Sequence, residues 1–314
     1  MKAAVLVSLL LASALGGCMA GPAEAPAGPG QSGAPGPAGP TGGPTSGAPG
    51  TPPQTNPPDE PAKPTNRTWP EPSAASIRPG VEMVADGQQC TSNFVFTSRL
   101  NDTVYLGFAA HCVAEGDQMD TNGCQGPVPF ALGTKVDVEG ASMPASLVYS
   151  SWTTMQAGRE SDANACADND FAFVALDESD RNKVSPAMRV FGGPTGIAPA
   201  GSGGIGSKVL TYGNTGLRFG IEPTNPREGV VFGHGADDWT TIVYTATPGL
   251  PGDSGSGVLH GDGQAMGILV TVGLAPYTAS NGVTSLEKAL AYANANGWDL
   301  ELATWEQLSD GNLP

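Results

Sequence analysis

Asn169-Asp170-Phe171-Ala172-Phe173-Val174 sets four apolar residues behind two turn-forming ones. A run this short, rich in aromatic and β-branched side chains, suits a buried strand and is too brief for a helix. Working outward, Phe94-Val95-Phe96, Val104-Tyr105-Leu106 and Ile242-Val243-Tyr244 repeat the texture, with Gly, Pro, Asn and Asp between them. Many short strands at this spacing predict an all-β barrel or sandwich. No alternation of strand and helix occurs, which excludes a Rossmann or TIM architecture. One helix is predicted near the end, where Thr284-Ser285-Leu286-Glu287 has the form of a capping box and Gly297 the form of a stop.

This strand texture begins near residue 80. Residues 19 to about 75 are mostly Pro, Gly, Ala, Ser and Thr. They lack the apolar surface to offset the entropy of ordering, so a disordered stalk is expected over 18–75 and a globular domain over 76–314. The formal net charge of -16 excludes a nucleic-acid binder, whose phosphate affinity needs clustered Lys and Arg. Residues 1–17 read as an export signal, with Lys2 ahead of an apolar run too short to span a bilayer. Leu15-Gly16-Gly17-Cys18 resembles the bacterial lipobox, which makes Cys18 the expected lipidation site and membrane anchor. The other four cysteines, Cys90, Cys112, Cys124 and Cys166, are then free to form two disulfides in an oxidising compartment.

Three segments carry chemistry: Gly107-Phe108-Ala109-Ala110-His111-Cys112, the Asn169–Val174 run, and Pro251-Gly252-Asp253-Ser254-Gly255-Ser256-Gly257. A serine hydroxyl is a weak nucleophile until an imidazole takes its proton. The imidazole in turn needs a buried carboxylate to fix its tautomer and stabilise its cation. His111, Asp170 and Ser254 supply one of each. His234 and His260 have no such context and are read as surface residues. Asp162, Asn164, Asp168 and Asp170 alternate like calcium ligands, but Cys166 fills a ligand slot and the sixth-position Gly is absent. No metal and no cofactor are expected.

Together the three segments resemble the Ala-Ala-His-Cys, Asn-Asp-hydrophobic-Ala and Gly-Asp-Ser-Gly signatures of chymotrypsin-like serine peptidases, closest to the secreted bacterial, streptogrisin-like members. The resemblance spans about residues 80 to 297. It implies two six-stranded antiparallel β-barrels with the active site between them. It makes His111, Asp170 and Ser254 the catalytic triad, and the N–H groups of Gly252 and Ser254 the oxyanion hole. It pairs Cys112 with Cys90, which leaves Cys124 and Cys166 as the second disulfide. Pro248 falls at the base of the primary pocket, and Thr271, Val272 and Gly273 fall on the strand that binds substrate backbone. Thr271 matches the hydroxyl residue that bonds the triad carboxylate. The trypsin-type Asp is missing at Pro248 and the glutamate-type His at Val270, so a neutral, apolar pocket is expected.

In the resembling family, the Asp before the nucleophile pairs with a new N-terminus or an internal Arg. Asp253 has that position, no Ile-Val-Gly-Gly run precedes the domain, and Tyr212 stands where the Arg would. The Tyr212 hydroxyl is therefore expected to serve Asp253, with Arg218 or Arg227 as alternatives. The implied function is a monomeric endopeptidase acting on proteins or peptides at the outer face of a bacterial membrane. The alternative is a silent homologue that binds peptides or cell-wall components. Such homologues usually lose a triad residue, and none is lost here.

Overall fold

A computed structural model of the chain describes residues 67–116, 122–273 and 276–309. All belong to one unit, Asp59–Pro314. The export segment, Cys18 and the Pro/Gly-rich stretch up to residue 66 lie outside the described residues.

The first half comprises β1 (Glu82–Ala85), β2 (Gln88–Thr91), β3 (Val95–Ser98), β4 (Asn101–Phe108), β5 (Ala114–Glu115), β6 (Val128–Pro129), β7 (Lys135–Val138) and β8 (Ala145–Ser150). Helices α1 (Ser151–Gly158) and α2 (Ala163–Asp168) then lead into β9 (Ala172–Ala175). The second half comprises β10 (Lys208–Tyr212), β11 (Pro226–His234), β12 (Thr240–Thr245), β13 (Gly257–His260), β14 (Ala265–Val272) and β15 (Asn281–Ser285). Helix α3 (Leu286–Ala295) and β16 (Leu300–Leu302) follow.

The second half closes as a six-stranded barrel in the order β10-β11-β12-β15-β14-β13. Its interior is built from slim side chains, among them Val209, Val231, Val243, Val258 and Val283. Branched residues of this size fill a small barrel without crowding it. The first half is an eight-stranded sheet, β16-β3-β4-β9-β8-β7-β1-β2. It exceeds six strands because the β1–β2 hairpin extends one end and β16, returning after α3, pairs with β3 at the other.

The second half of the Asn169–Val174 run, Ala172 to Val174, enters β9 and is buried there between β4 and β8. Phe173 stacks on Tyr149 at 4.8 Å and meets Trp298 edge-on at 4.7 Å. Trp298 follows α3, so the C-terminal segment is fastened into the core of the first sheet. Such aromatic pairs add about 0.5–1.5 kcal/mol each beyond burial.

Two expectations shift. The N-cap of α3 is Ser285, whose side chain accepts from the Lys288 N–H, rather than Thr284. The Thr284 hydroxyl donates to the Asp168 carbonyl instead, at 2.6 Å, and Glu287 accepts from the Ala200 N–H. The ordered domain also begins before residue 76. Trp69 packs against the core, and Arg67 lies over its ring and ion-pairs with Asp102. Asp162 of the alternating acidic run, where no metal site is expected, is the N-cap of α2 and accepts from the N–H groups of Asn164 and Ala165.

His234 and His260, read as surface residues, are both drawn inward. His234 is half-buried, bonded to Thr241 Oγ1 at 3.1 Å and to the Gly203 carbonyl at 2.9 Å. His260 is buried, with Nε2 3.1 Å from Ser202 Oγ. Burial lowers the His260 pKa from its ordinary value, with nearby Asp262 opposing and His234 adding to the shift. A histidine lowered in this way contributes stability that is complete above about pH 6.5 and is lost as pH falls through that value toward its folded pKa. His260→Gln should therefore flatten the dependence of Tm on pH between 8 and 5. An unchanged slope in the variant would show that His260 is not the group responsible.

Candidate active site

The register of the first sheet brings the first two candidate residues together. Phe108, the last residue of β4, pairs with Ala172, the first of β9. His111 lies three residues past that pair, in the 3-10 turn His111–Val113, and Asp170 lies two residues before it. Both are buried, with 3% and 0% exposure. Asp170 Oδ2 is 2.6 Å from His111 Nδ1, and Oδ1 accepts the His111 backbone N–H at 2.9 Å. Both carboxylate oxygens thus serve one residue. With Nδ1–H committed to the carboxylate, Nε2 keeps the lone pair that a base requires.

The disulfide Cys90–Cys112 links the histidine turn to the end of β2, with Cα atoms 6.2 Å apart. The second disulfide joins Cys124 to Cys166. Thr91, the residue after Cys90, then anchors the serine loop. Its N–H donates to the Ser254 carbonyl at 2.8 Å, and its hydroxyl donates to the Gly252 carbonyl at 2.7 Å. Gly255 abuts the same wall, where a Cβ would meet the Thr91 carbonyl at 2.5 Å and the Ala109 nitrogen at 2.9 Å. Ser254, partly exposed, thus sits on a loop whose next residue, Gly255, abuts Ala109, two residues before His111.

The loop's amides alternate. Asp253 N–H donates to the Leu250 carbonyl at 2.8 Å, and Gly255 N–H donates to the Leu269 carbonyl at 2.7 Å. Among the described residues, no acceptor pairs with the N–H of Gly252 or Ser254. Gly252 has φ +96°, and a Cβ there would meet Thr215 Oγ1 at 2.8 Å, so the turn demands glycine. Two unpaired N–H groups flanking a paired one are a ready receptor for a single negative oxygen.

Asp253, fully buried, is held by two arginines. Arg218 grips it through two bonds of 2.7 Å, and Arg227 Nη1 lies 2.9 Å from Oδ2. The N–H groups of Thr215 and Leu250 complete the set at 3.2 and 2.9 Å. Burial pushes Arg227 down to about 10, with Asp253 opposing the shift and the like charge of Arg218 adding to it. The expectation for Tyr212 is thereby corrected. Its hydroxyl meets Asn225 Nδ2 at 3.4 Å and its ring lies under Arg189. Side chains alternate along a strand, and the position facing Asp253 is the next one, Gly213.

Beside Ser254 opens a cavity of roughly 340 Å³. One wall is Gly249–Pro251 and the other Leu269–Val272. Asn281 braces the two, accepting the Gly249 N–H at 2.8 Å and donating to the Thr271 carbonyl at 2.9 Å. Among the described residues, no ionisable side chain lines it. Thr271 and Val272 line this cavity, and Pro248 and Gly273 are not among its lining residues. The Thr271 hydroxyl accepts the Gly282 N–H at 3.2 Å instead of reaching Asp170. The register shift at Val270 is the cause, since a bulge re-aims every side chain beyond it. Asn281 and Thr91 carried no motif in the sequence, because their roles arise only from strand pairing.

No family model matches the chain, and no curated protein does either. Solved structures do resemble it. Thermobifida fusca Protease A is 18% identical, covering 74% of this chain and 100% of that one, at a TM-score of 0.43. Nocardiopsis Protease is 19% identical, covering 73% and 99%, at 0.43. A glutamic acid specific serine protease is 19% identical, covering 72% and 100%, at 0.44. The fold itself is an all-β arrangement of a closed barrel, a second sheet and a C-terminal helix, in keeping with the trypsin-like double barrel.

Proposed function

We propose that this chain is a serine endopeptidase in which His111, Asp170 and Ser254 form the triad. The observation that carries the reading is the buried His111–Asp170 pair set beside a loop that presents Ser254 with two unmatched N–H groups. In the first step Ser254 Oγ attacks the peptide carbonyl carbon while His111 Nε2 takes the hydroxyl proton. The carbonyl oxygen becomes negative between the N–H groups of Gly252 and Ser254, each donor contributing about 2.7–4 kcal/mol in comparable sites. The C–N bond breaks as His111 returns the proton to the departing amine, leaving an ester on Ser254. Water repeats the sequence and releases the acid, with Asp170 stabilising the imidazolium each time. Hydrolysis of denatured casein, blocked by an organophosphonate, tests the activity.

The neutral lining of the cavity supports a preference for an apolar side chain before the scissile bond, since no charge is available to pair with Lys, Arg or Glu. We further propose that the enzyme is exported and held at the outer membrane face by lipid on Cys18. Each buried CH₂ of an acyl chain contributes about 0.8 kcal/mol to anchoring. Cys18→Ser should release the protein from the membrane fraction or block its maturation. Equal partition of both forms into the medium would remove the anchor from the account.

A further inference from the structure

Thr215 is the N-cap of the 3-10 turn Gly216–Arg218, the turn that delivers Arg218 to Asp253. Its hydroxyl accepts the Leu217 N–H at 3.1 Å and lies 2.5 Å from the Pro251 carbonyl. A carbonyl has no proton to give, so the hydroxyl donates its own to Pro251. Thr215 is buried, and its backbone is gripped on three sides. Gln89 Nε2 donates to the Asn214 carbonyl and Gln89 Oε1 accepts the Gly216 N–H, both at 3.1 Å. The Thr215 N–H donates to Asp253 Oδ1 at 3.2 Å.

The Pro251 carbonyl and the Gly252 N–H belong to one peptide unit, which is trans. A trans unit directs its C=O and N–H to opposite sides. Holding the carbonyl toward Thr215 therefore turns the Gly252 N–H away from it and leaves that N–H free for an oxyanion. The next unit is held separately, with the Thr91 hydroxyl on the Gly252 carbonyl and the Asp253 N–H on the Leu250 carbonyl. Gly252, with no Cβ, offers little resistance to rotation of the unit before it. We propose that Thr215 is a positioning residue whose hydroxyl fixes the Pro251–Gly252 peptide and so keeps the oxyanion receptor formed. The proposal rests on the endopeptidase reading and names the group that maintains its electrophilic side.

Thr215→Val removes the hydroxyl at nearly constant volume, Thr215→Ala removes it without adding a contact, and Thr215→Ser keeps it. Each is assayed on a peptide taken from a site that wild type cuts in casein, and titrated with the matching peptidyl trifluoromethyl ketone. On the ketone, Ser254 Oγ bonds to the carbonyl carbon, its proton passes to His111, and the carbonyl oxygen becomes the anion to be held. The Val and Ala variants should lose about 10²-fold in kcat and in ketone affinity, the scale of one lost oxyanion donor, with KM within about threefold of wild type. Thr215→Ser should stay within about threefold of wild type throughout. Loss of the cap alone lowers Tm but does not move ketone affinity in step with kcat at constant KM. Val and Ala variants that keep wild-type kcat and ketone affinity, or a Ser variant as impaired as they are, overturn the proposal while the endopeptidase reading stands. Wild type that cuts no site in casein and traps no ketone removes that reading and the proposal with it.

Discussion

Ser254→Ala should lower peptide hydrolysis by about 10⁴- to 10⁶-fold while leaving Tm unchanged. The loss is large because the three residues act as a unit: with no hydroxyl to attack, the base and the oxyanion donors serve only whatever water reaches the carbonyl. The fold should be indifferent, since Ser254 is anchored through its backbone carbonyl to the Thr91 N–H and its side chain is partly exposed. His111→Ala should cost comparable activity but also stability. It removes the Nδ1 partner from the wholly buried Asp170 carboxylate and leaves that charge with only the backbone N–H. Kinetics on casein and thermal melts of the two variants separate these effects. Residual activity of Ser254→Ala within tenfold of wild type would exclude it as the nucleophile.

The next largest effect should follow from Asp253→Asn. This change leaves Arg218 and Arg227 facing each other, both buried, with no carboxylate between them. Breaking a buried pair by removing one partner typically costs about 3–5 kcal/mol. In a domain of this size each kcal/mol lowers Tm by about 2–4 °C, so a drop on the order of 10 °C is expected. Turnover should fall as well, because Asp253 lies between the two N–H groups proposed to hold the oxyanion. Arg218→Met should reproduce a large part of both effects, as it removes two bonds of 2.7 Å from the carboxylate. Tyr212→Phe should do neither, since its hydroxyl is directed at Asn225. A Tyr212→Phe variant as impaired as Arg218→Met would reverse the assignment of the Asp253 partners.

What the sequence made legible was chemistry contained in local runs. The apolar block after Asp170 is a strand because nothing in it can do otherwise, and the same run places the carboxylate at the strand's mouth. His111 and Ser254 were proposed from the sequence through the signatures they resemble, each set among small neighbours. The partners of Asp253 were not readable, because Arg218 arrives from a 3-10 turn and Arg227 from β11, and only the barrel brings them together. Tyr212 was displaced by simple alternation along β10. Thr271 was displaced by a bulge at Val270, which leaves no mark in an uninterrupted apolar run. His260 looked like a surface residue until β13 closed the barrel around it.

The central claim, that Ser254 is a nucleophile activated by His111, is tested most directly by covalent trapping. The full-length protein is incubated with an organophosphonate at neutral pH and the adduct is located by peptide mass spectrometry. A single adduct on Ser254, absent in Ser254→Ala and strongly slowed in His111→Ala, is the predicted result. An unlabelled Ser254 in protein that melts cooperatively, or labelling that proceeds equally without His111, would contradict it.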